Sequence, residues 1–439
     1  MLRNLGYTLF INYDYLCTVK KQILLYVYLL VSMLLPSSNA IAQDGGHLNA
    51  TLDSIDISLI TCGQGDESYS LYGHTAIRIN DKYDMRDIVA NYGLFSFEQK
   101  NFVLRFIFGL TDYMMGITSF IDFIHEYQME GRWVKEQLLD LTPSEKESLI
   151  LAIIENSMPE NAEYRYNFFY DNCTTRARDM IVSHIKGKVN YSKSQHGDVT
   201  YRDMIHAFTK NDPWTRFGND LLLGVKADAK TDQMQQQFLP THLFDDFSNA
   251  KIVDEQGRTR KLVLKERQLL SEKIEAKPFP ITPMACMIAL AILVCLLTVI
   301  EWFKKVDFWI FDVCMFLVLG LAGLILTAML FSQHPTVRLN LQILLLNPIG
   351  LVGLLGSVGG RKTNLPKKVN LSGKASSKKQ FWNASAIYGV ATIFVLLFLI
   401  GAIWQTYAEG LIILALSLLL RYSMKWKISQ DKGKNIRHE

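Results

Sequence analysis

One cysteine stands where an aromatic run, Tyr164 to Tyr170, gives way to a helical pattern, in the string Asp171-Asn172-Cys173-Thr174-Thr175-Arg176. A thiol at a helix start faces free backbone N–H groups and the positive end of the helix dipole, and both favour the thiolate. Cys173 is therefore a candidate nucleophile, with Asp171 or Asn172 as the N-cap in a purely structural role. A thiolate used for acyl chemistry also needs a base, a group that orients the base, and an oxyanion donor. The candidate base is His74 in Tyr72-Gly73-His74, because it opens a strand and Gly73 leaves room for backbone or substrate beside it. Asn91 on the following strand is the candidate orienter, since an amide oxygen accepts from one imidazole nitrogen while the other faces sulfur. The chain has nine histidines, so spacing alone does not single out His74.

These residues need a scaffold. Ile55 to Ile60 alternates as a half-buried strand, His74 to Ile79 does the same, and Ile88 to Tyr92 follows at hairpin distance. Thr142-Pro143-Ser144-Glu145 is a capping box with proline at the first helical position, opening a helix to about Ser157. Tyr164 to Tyr170 reads as an aromatic strand, and a helix follows from Cys173 to about Ile185. Residues 43–247 thus predict an α+β catalytic domain, and the charged, weakly periodic stretch that follows predicts a linker over 248–283. No internal repeat is present.

The flanks place this domain outside a membrane. Lys20 and Lys21 precede the apolar run Ile23 to Leu35 and then Ala40-Ile41-Ala42, a small-x-small site, so 1–42 reads as a signal peptide or, uncleaved, as a signal anchor. Apolar segments at Met284–Phe303, Phe308–Phe331, about Leu341–Val358, Ala386–Trp404 and Ala408–Tyr422 predict about five transmembrane helices within 284–424 and a cytoplasmic tail over 425–439. Lys304 and Lys305, the basic run Arg361 to Lys379, and Lys425 with Lys427 alternate with loops carrying only Arg338 or Glu409. By the positive-inside rule everything before Pro283 lies outside, in agreement with the signal segment. Ser332 to Thr336 then forms an outer loop, where His334 faces a lipid headgroup or the soluble domain, or is an idle residue of a proline turn. Glu301 and Asp312 are expected near the inner interface and hydrated. The net charge of +4 sits mostly between apolar segments, which speaks for topology and against a nucleic-acid footprint. Of six cysteines, three fall in apolar spans and Cys17 in the targeting segment, leaving Cys62 and Cys173 for the exported domain, where a disulfide is the structural alternative to catalysis. No cofactor and no metal is predicted.

The strings Ser70-Leu71-Tyr72-Gly73-His74-Thr75-Ala76-Ile77-Arg78, Asn91-Tyr92-Gly93 and Phe168-Phe169-Tyr170-Asp171-Asn172-Cys173-Thr174-Thr175-Arg176, followed by several membrane helices, resemble the Lnb-type lipoprotein N-acyltransferase family. His334-Pro335 and Asn347-Pro348 are similar to that family as well. A histidine strand preceding a cysteine helix also resembles circularly permuted NlpC-type, papain-like enzymes. The resemblance implies an α+β permuted NlpC-type (papain-like) extracytoplasmic domain followed by an α-helical transmembrane bundle, in a bacterial inner membrane with the N-terminal domain in the periplasm. It implies Cys173 as nucleophile and His74 as base. Asn91 stands where the permuted acyltransferases have a second polar residue, often histidine. The expected partners are a membrane phospholipid as acyl donor and a diacylated lipoprotein as acceptor. Tyr72, Arg176 and His334 are candidate substrate-binding residues, Arg176 together with Arg78 and Arg178 as a phosphate clamp or as an ordinary solvated arginine. The rival readings are a cell-wall cysteine peptidase or amidase, a phospholipase, and a non-enzymatic assembly factor with a Cys62–Cys173 disulfide.

Overall fold

Alternation of apolar residues builds the strands around the candidate base. β1 (Ile55–Cys62), β2 (His74–Asp81) and β3 (Arg86–Leu94) form where the period-two pattern predicts them, and β2 pairs antiparallel with β3, Ala76 opposite Asn91. β4 (Asp112–Ser119), β5 (Val134–Leu139), β6 (Glu163–Arg165) and β10 (Val263–Leu270) complete a seven-stranded sheet of order β10-β5-β1-β2-β3-β4-β6. The computed structural model describes residues 52–67, 69–95, 100–194, 196–272, 280–352, 354 and 384–438, so the expected signal peptide, 1–42, lies outside the described residues. From Asp56 onward the chain is one compact unit.

The short helix α1 (Phe102–Ile107) joins β3 to β4, and α2 (Phe120–Met129) follows β4. The capping box forms as expected and opens α3 (Pro143–Ser157), where the Thr142 N–H donates to Glu145 at 2.8 Å. α4 (Cys173–Ser183) packs across β2 and β3. Two expectations for the periplasmic half fail. The aromatic strand Tyr164–Tyr170 ends at Arg165, because Asn167 turns the chain back: Asp171 N–H donates to its carbonyl at 2.8 Å. The expected linker is not one over 248–270. β10 pairs along β5, and β8 (Lys251–Val253) lies between β7 (Lys188–Asn190) and β9 (Thr259–Lys261) in a second small sheet.

Helices α5 (Tyr201–Phe208), α6 (Pro213–Leu222) and α7 (Pro240–Ser248) lead toward the membrane half. There α8 (Pro283–Lys304) and α9 (Trp309–Met329) are long and apolar enough to cross a bilayer. α10 (Ala384–Gly401) is apolar, and α11 (Leu411–His438) starts after Gly410 and continues as helix through most of the expected tail 425–439. The third expected span does not begin at Leu341. Leu341–Leu344 is a 3-10 turn, Asn347-Pro348 a further turn, and helix resumes at Gly350, beyond which most of the span lies outside the described residues. The backbone is drawn off by polar bonds: the Asn340 side chain accepts the Gln342 N–H at 3.0 Å, and the Gln342 amide donates to the Asp220 carbonyl at 2.7 Å.

That last bond crosses between the halves. Asn340 donates to the Leu221 carbonyl at 2.8 Å, Gln405 to the Leu223 carbonyl at 3.0 Å, and the Gly224 N–H to the Thr336 carbonyl at 2.8 Å. One apolar cluster runs from Phe169, Tyr201 and Phe238 beside α4 to Phe316, Phe398 and Leu418 in the bundle. Glu301 and Asp312, expected to stay hydrated, are 3% and 1% exposed. Arg421 meets Asp312 at 2.5 Å, and Lys425 reaches Glu301 at 2.9 Å, Asp307 at 2.7 Å and Asp312 at 3.2 Å. Buried acids persist in such a place because their charges are paired. α11 supplies both cations, which a window-by-window hydropathy reading does not connect to α8 and α9.

Candidate active site

Asn172, not Asp171, is the N-cap of α4. Its Oδ1 accepts the N–H groups of Thr174 and Thr175, both at 2.9 Å, while its own N–H donates to the Thr175 hydroxyl at 2.9 Å. Its amide N–H groups donate to the carbonyls of Phe168 and Phe238, both at 2.9 Å. A cap held from four directions fixes where the next residue, Cys173, begins the helix. Asp171 is occupied with Arg176, at 2.7 and 2.8 Å. The helix start is also tied to β2, since the hydroxyls of Thr75 and Thr174 lie 3.1 Å apart.

This docking brings the three expected catalytic residues together. The β2–β3 register sets Asn91 opposite Ala76, so His74, two residues earlier, shares the face of Asn91 one diagonal step away. His74 Nε2 lies 2.5 Å from Asn91 Oδ1. A carbonyl oxygen only accepts, so the proton sits on Nε2 and Nδ1 is left for the sulfur. Burial pushes the Cys173 thiol up, but the His74 charge and hydrogen bond, the Thr75 N–H and the Thr174 hydroxyl override it and bring the pKa down to about 7. Burial pulls His74 down, and the Cys173 charge, its hydrogen bond and that of Asn91 more than reverse this, leaving the imidazole above its ordinary value. Each group favours the charged form of the other.

Two glycines with positive φ stand near the pair, and one of them borders it. Gly73 has φ +81°, and a Cβ there would meet the Cys62 carbonyl oxygen at 2.6 Å, so it is backbone that approaches it. Gly93 has φ +90°, and its Cβ would lie 3.6 Å from Cys173 Cβ and 4.0 Å from His74 Cε1. Residue-by-residue reading did not assign Gly93 or Thr75 a role, although Gly93 follows Asn91 by two residues and Thr75 follows His74 directly. Cys62 and Cys173 are both free thiols.

The candidate substrate-binding residues do not gather at the sulfur. The Tyr72 hydroxyl accepts from Asn219 at 2.6 Å, and its ring packs edge-on against Phe168 with centroids 4.8 Å apart, which makes it part of the aromatic packing under α4. Arg176 is held by Asp171 and lies over the Tyr164 ring, 3.7 Å from its centroid, so its charge is already met. Arg78 is bound to Asp87 and Glu136. His334 is in the outer loop, against Gly109 of the periplasmic domain, and burial together with Arg165 holds its pKa below the ordinary value.

Residues 47–207 match the family described as the Lnb N-terminal periplasmic domain, and residues 274–432 match the Lnb transmembrane domain. The chain belongs to the Lnb family. Comparison with curated proteins and with solved structures returns no match. An Lnb chain is an inner-membrane protein with a periplasmic N-terminal region, and its family places it among enzymes that modify lipoproteins during their maturation. The Lnb periplasmic match ends inside α5 and the transmembrane match begins at 274. The stretch between them holds α6, whose C-terminal end bonds to the membrane half, and α7 and β8 to β10, whose strands pair with β5 and β7 of the periplasmic half.

Proposed function

We propose that the protein is a lipoprotein N-acyltransferase that works through an acyl-thioester on Cys173. The observation that carries this reading is the Cys173–His74–Asn91 arrangement, with a thiol lowered to about 7, in a domain that shares its core with a membrane bundle. In the first step the thiolate attacks the ester carbonyl of a membrane phospholipid. The ester C–O bond breaks, and the His74 imidazolium gives its proton to the departing alkoxide, releasing lysophospholipid and leaving the acyl group on sulfur. In the second step the α-amino group of a diacylglyceryl-cysteine attacks the thioester. His74 takes the amine proton, the C–S bond breaks, and the thiolate returns as an amide forms on a now triacylated lipoprotein. Splitting the reaction lets one site serve two bulky lipids in turn, and Asn91 keeps the imidazole aimed at sulfur throughout. The order of a histidine strand before a cysteine helix fits a permuted papain-like arrangement.

Both substrates live in the bilayer, which gives a membrane bundle fused to the catalytic domain a purpose that a cell-wall peptidase lacks. The free Cys62 and Cys173 thiols speak against a disulfide-bonded scaffold. The test is mass spectrometry of a lipoprotein N-terminal peptide from cells that lack their own N-acyltransferase and express the wild-type chain or Cys173→Ala. A third acyl chain with the wild type and none with the variant is the expected result; a diacylated peptide in both, with the protein inserted, overturns the reading.

A further inference from the structure

A lipid-handling site must be reached from lipid, and α1 stands where the periplasmic half meets the bilayer surface. α9 runs outward and ends at Met329. Four residues on, the Gln333 N–H donates to the carbonyl of Phe108, the C-cap of α1, at 2.9 Å. Gln333 also accepts from Arg165 at 3.1 Å, and His334 packs on Gly109. The end of α1 is therefore pinned to the outer end of a membrane helix, which fixes its height at the interface. Leu330 and Phe331, on the α9 side of the same junction, are exposed.

At that height α1 turns apolar side chains outward. It buries no residue fully, and Val103, Leu104 and Phe106 are 68%, 57% and 48% exposed. Its one basic side chain, Arg105, is bound to Asp112 and leaves the outward face uncharged. On a protein surface facing water such a face is a liability, whereas at the headgroup boundary it is what seats a helix in a leaflet.

From α1 a run of rings leads inward. Phe106 lies against Phe102 with centroids 6.3 Å apart, Phe102 against Phe95 at 6.4 Å, Phe95 against Tyr113 at 4.9 Å, and Tyr113 against Tyr166 at 4.0 Å. Phe95 is two residues from Gly93, whose bare Cα borders Cys173 and His74. The run thus ends beside the dyad, where the phenols of Tyr113 and Tyr166 lie near enough to Cys173 to feel its charge.

We propose that α1 lies in the outer leaflet of the bilayer and that the ring series Phe106, Phe102, Phe95, Tyr113 and Tyr166 guides one acyl chain of a bilayer phospholipid to the Cys173 sulfur. The guide rests on the acyl-transfer reading; the seating of α1 does not. Ring faces offer contact to a flexible methylene chain without fixing its length, and the tyrosine hydroxyls mark the end where the ester must arrive.

Two measurements on the full-length chain in phosphatidylethanolamine nanodiscs test it. In the first, a photoreactive benzoylphenylalanine replaces Leu104, or Met85 on the β2–β3 hairpin as the distant control. A phospholipid adduct at 104 and none at 85 is expected, and no adduct at 104 overturns the seating. In the second, acylation of Cys173 is followed by intact mass with either the bilayer phospholipid or a water-soluble short-chain thioester as donor. For Leu104→Asp and for Phe95→Ala the ratio of bilayer rate to soluble rate is expected to fall at least tenfold. An unchanged ratio, whether both rates hold or both collapse, overturns the guide. A wild-type chain acylated by neither donor overturns the acyl-transfer reading and the guide with it, while the adduct at 104 still decides the seating.

Discussion

Two thiols in the periplasmic domain begin from the same handicap and end in opposite states. Burial pushes both Cys62 and Cys173 toward the neutral form. Cys62, at the end of β1, has only the Arg132 charge and a bond to Tyr127 to set against it, and its pKa stays far above the ordinary value. Cys173, in the first turn of α4, meets an imidazole, a backbone N–H and a hydroxyl, and falls to about 7. The difference teaches that what a thiol can do here is decided by the donors its neighbours aim at it, and those donors are supplied by how β2 and α4 dock.

The largest break in that comparison is Cys173→Ala, for which acyl transfer and thioester formation are expected to vanish while Cys62→Ala retains both, read by intact mass with a labelled phospholipid donor. His74→Gln comes next. Acyl transfer is expected to fall by about 10²- to 10⁴-fold, and the pH at which iodoacetamide labels Cys173 at half its maximal rate to climb from about 7 toward 9. The sign follows from the lowered pKa: in the wild type the thiolate is present above about 7 and lost as pH falls through it, and without the imidazolium that threshold moves up. Cys62 is expected to stay unlabelled over the same range until the protein unfolds. Asn91→Ala keeps the base but frees its ring, so a loss of about ten- to a hundredfold is expected in steady-state transfer, as for other groups that hold an imidazole in place. A loss as deep as that of His74→Gln would show Asn91 to be more than an orienter. The smallest effect is that of Cys62→Ala on stability, about 1 kcal/mol, seen as a small drop in the thermal midpoint in detergent.

Much of the site was legible because its parts are local. The alternation of His74 to Ile79, the capping box at Thr142 and the polar string before Cys173 each announce an element within a few residues, and the first and last of those elements carry His74 and Cys173. What the sequence hid depends on distant partners. Val263–Leu270 is an edge strand with mostly exposed side chains, so it lacks the alternation that reveals a strand and exists because β5 offers it a ladder. Leu341 to Val358 is apolar enough to pass for a membrane span, yet Gln342 spends its amide on Asp220, more than a hundred residues away. Arg176 has the right type and place for a phosphate clamp, and only the fold shows Asp171 already holding it. Glu301 and Asp312 looked like residues at a wet boundary because their cations, Arg421 and Lys425, come from the last helix.

The junction between the end of α6, the 335–344 turn and Gln405 has a consequence for how the protein is made. The ribosome finishes Cys173, His74 and the sheet long before it reaches Asn340, Gln342 and Gln405, and until those arrive the Leu221 and Asp220 carbonyls lack the amides that bond them and the Leu223 carbonyl has only Arg202. The catalytic domain is thus completed by the last part of the chain to be inserted. A chain stalled after two membrane helices carries Cys173, His74 and Asn91 but lacks the bonds that Asn340, Gln342 and Gln405 bring to the end of α6, so the junction between the two halves closes only as the last helices are inserted.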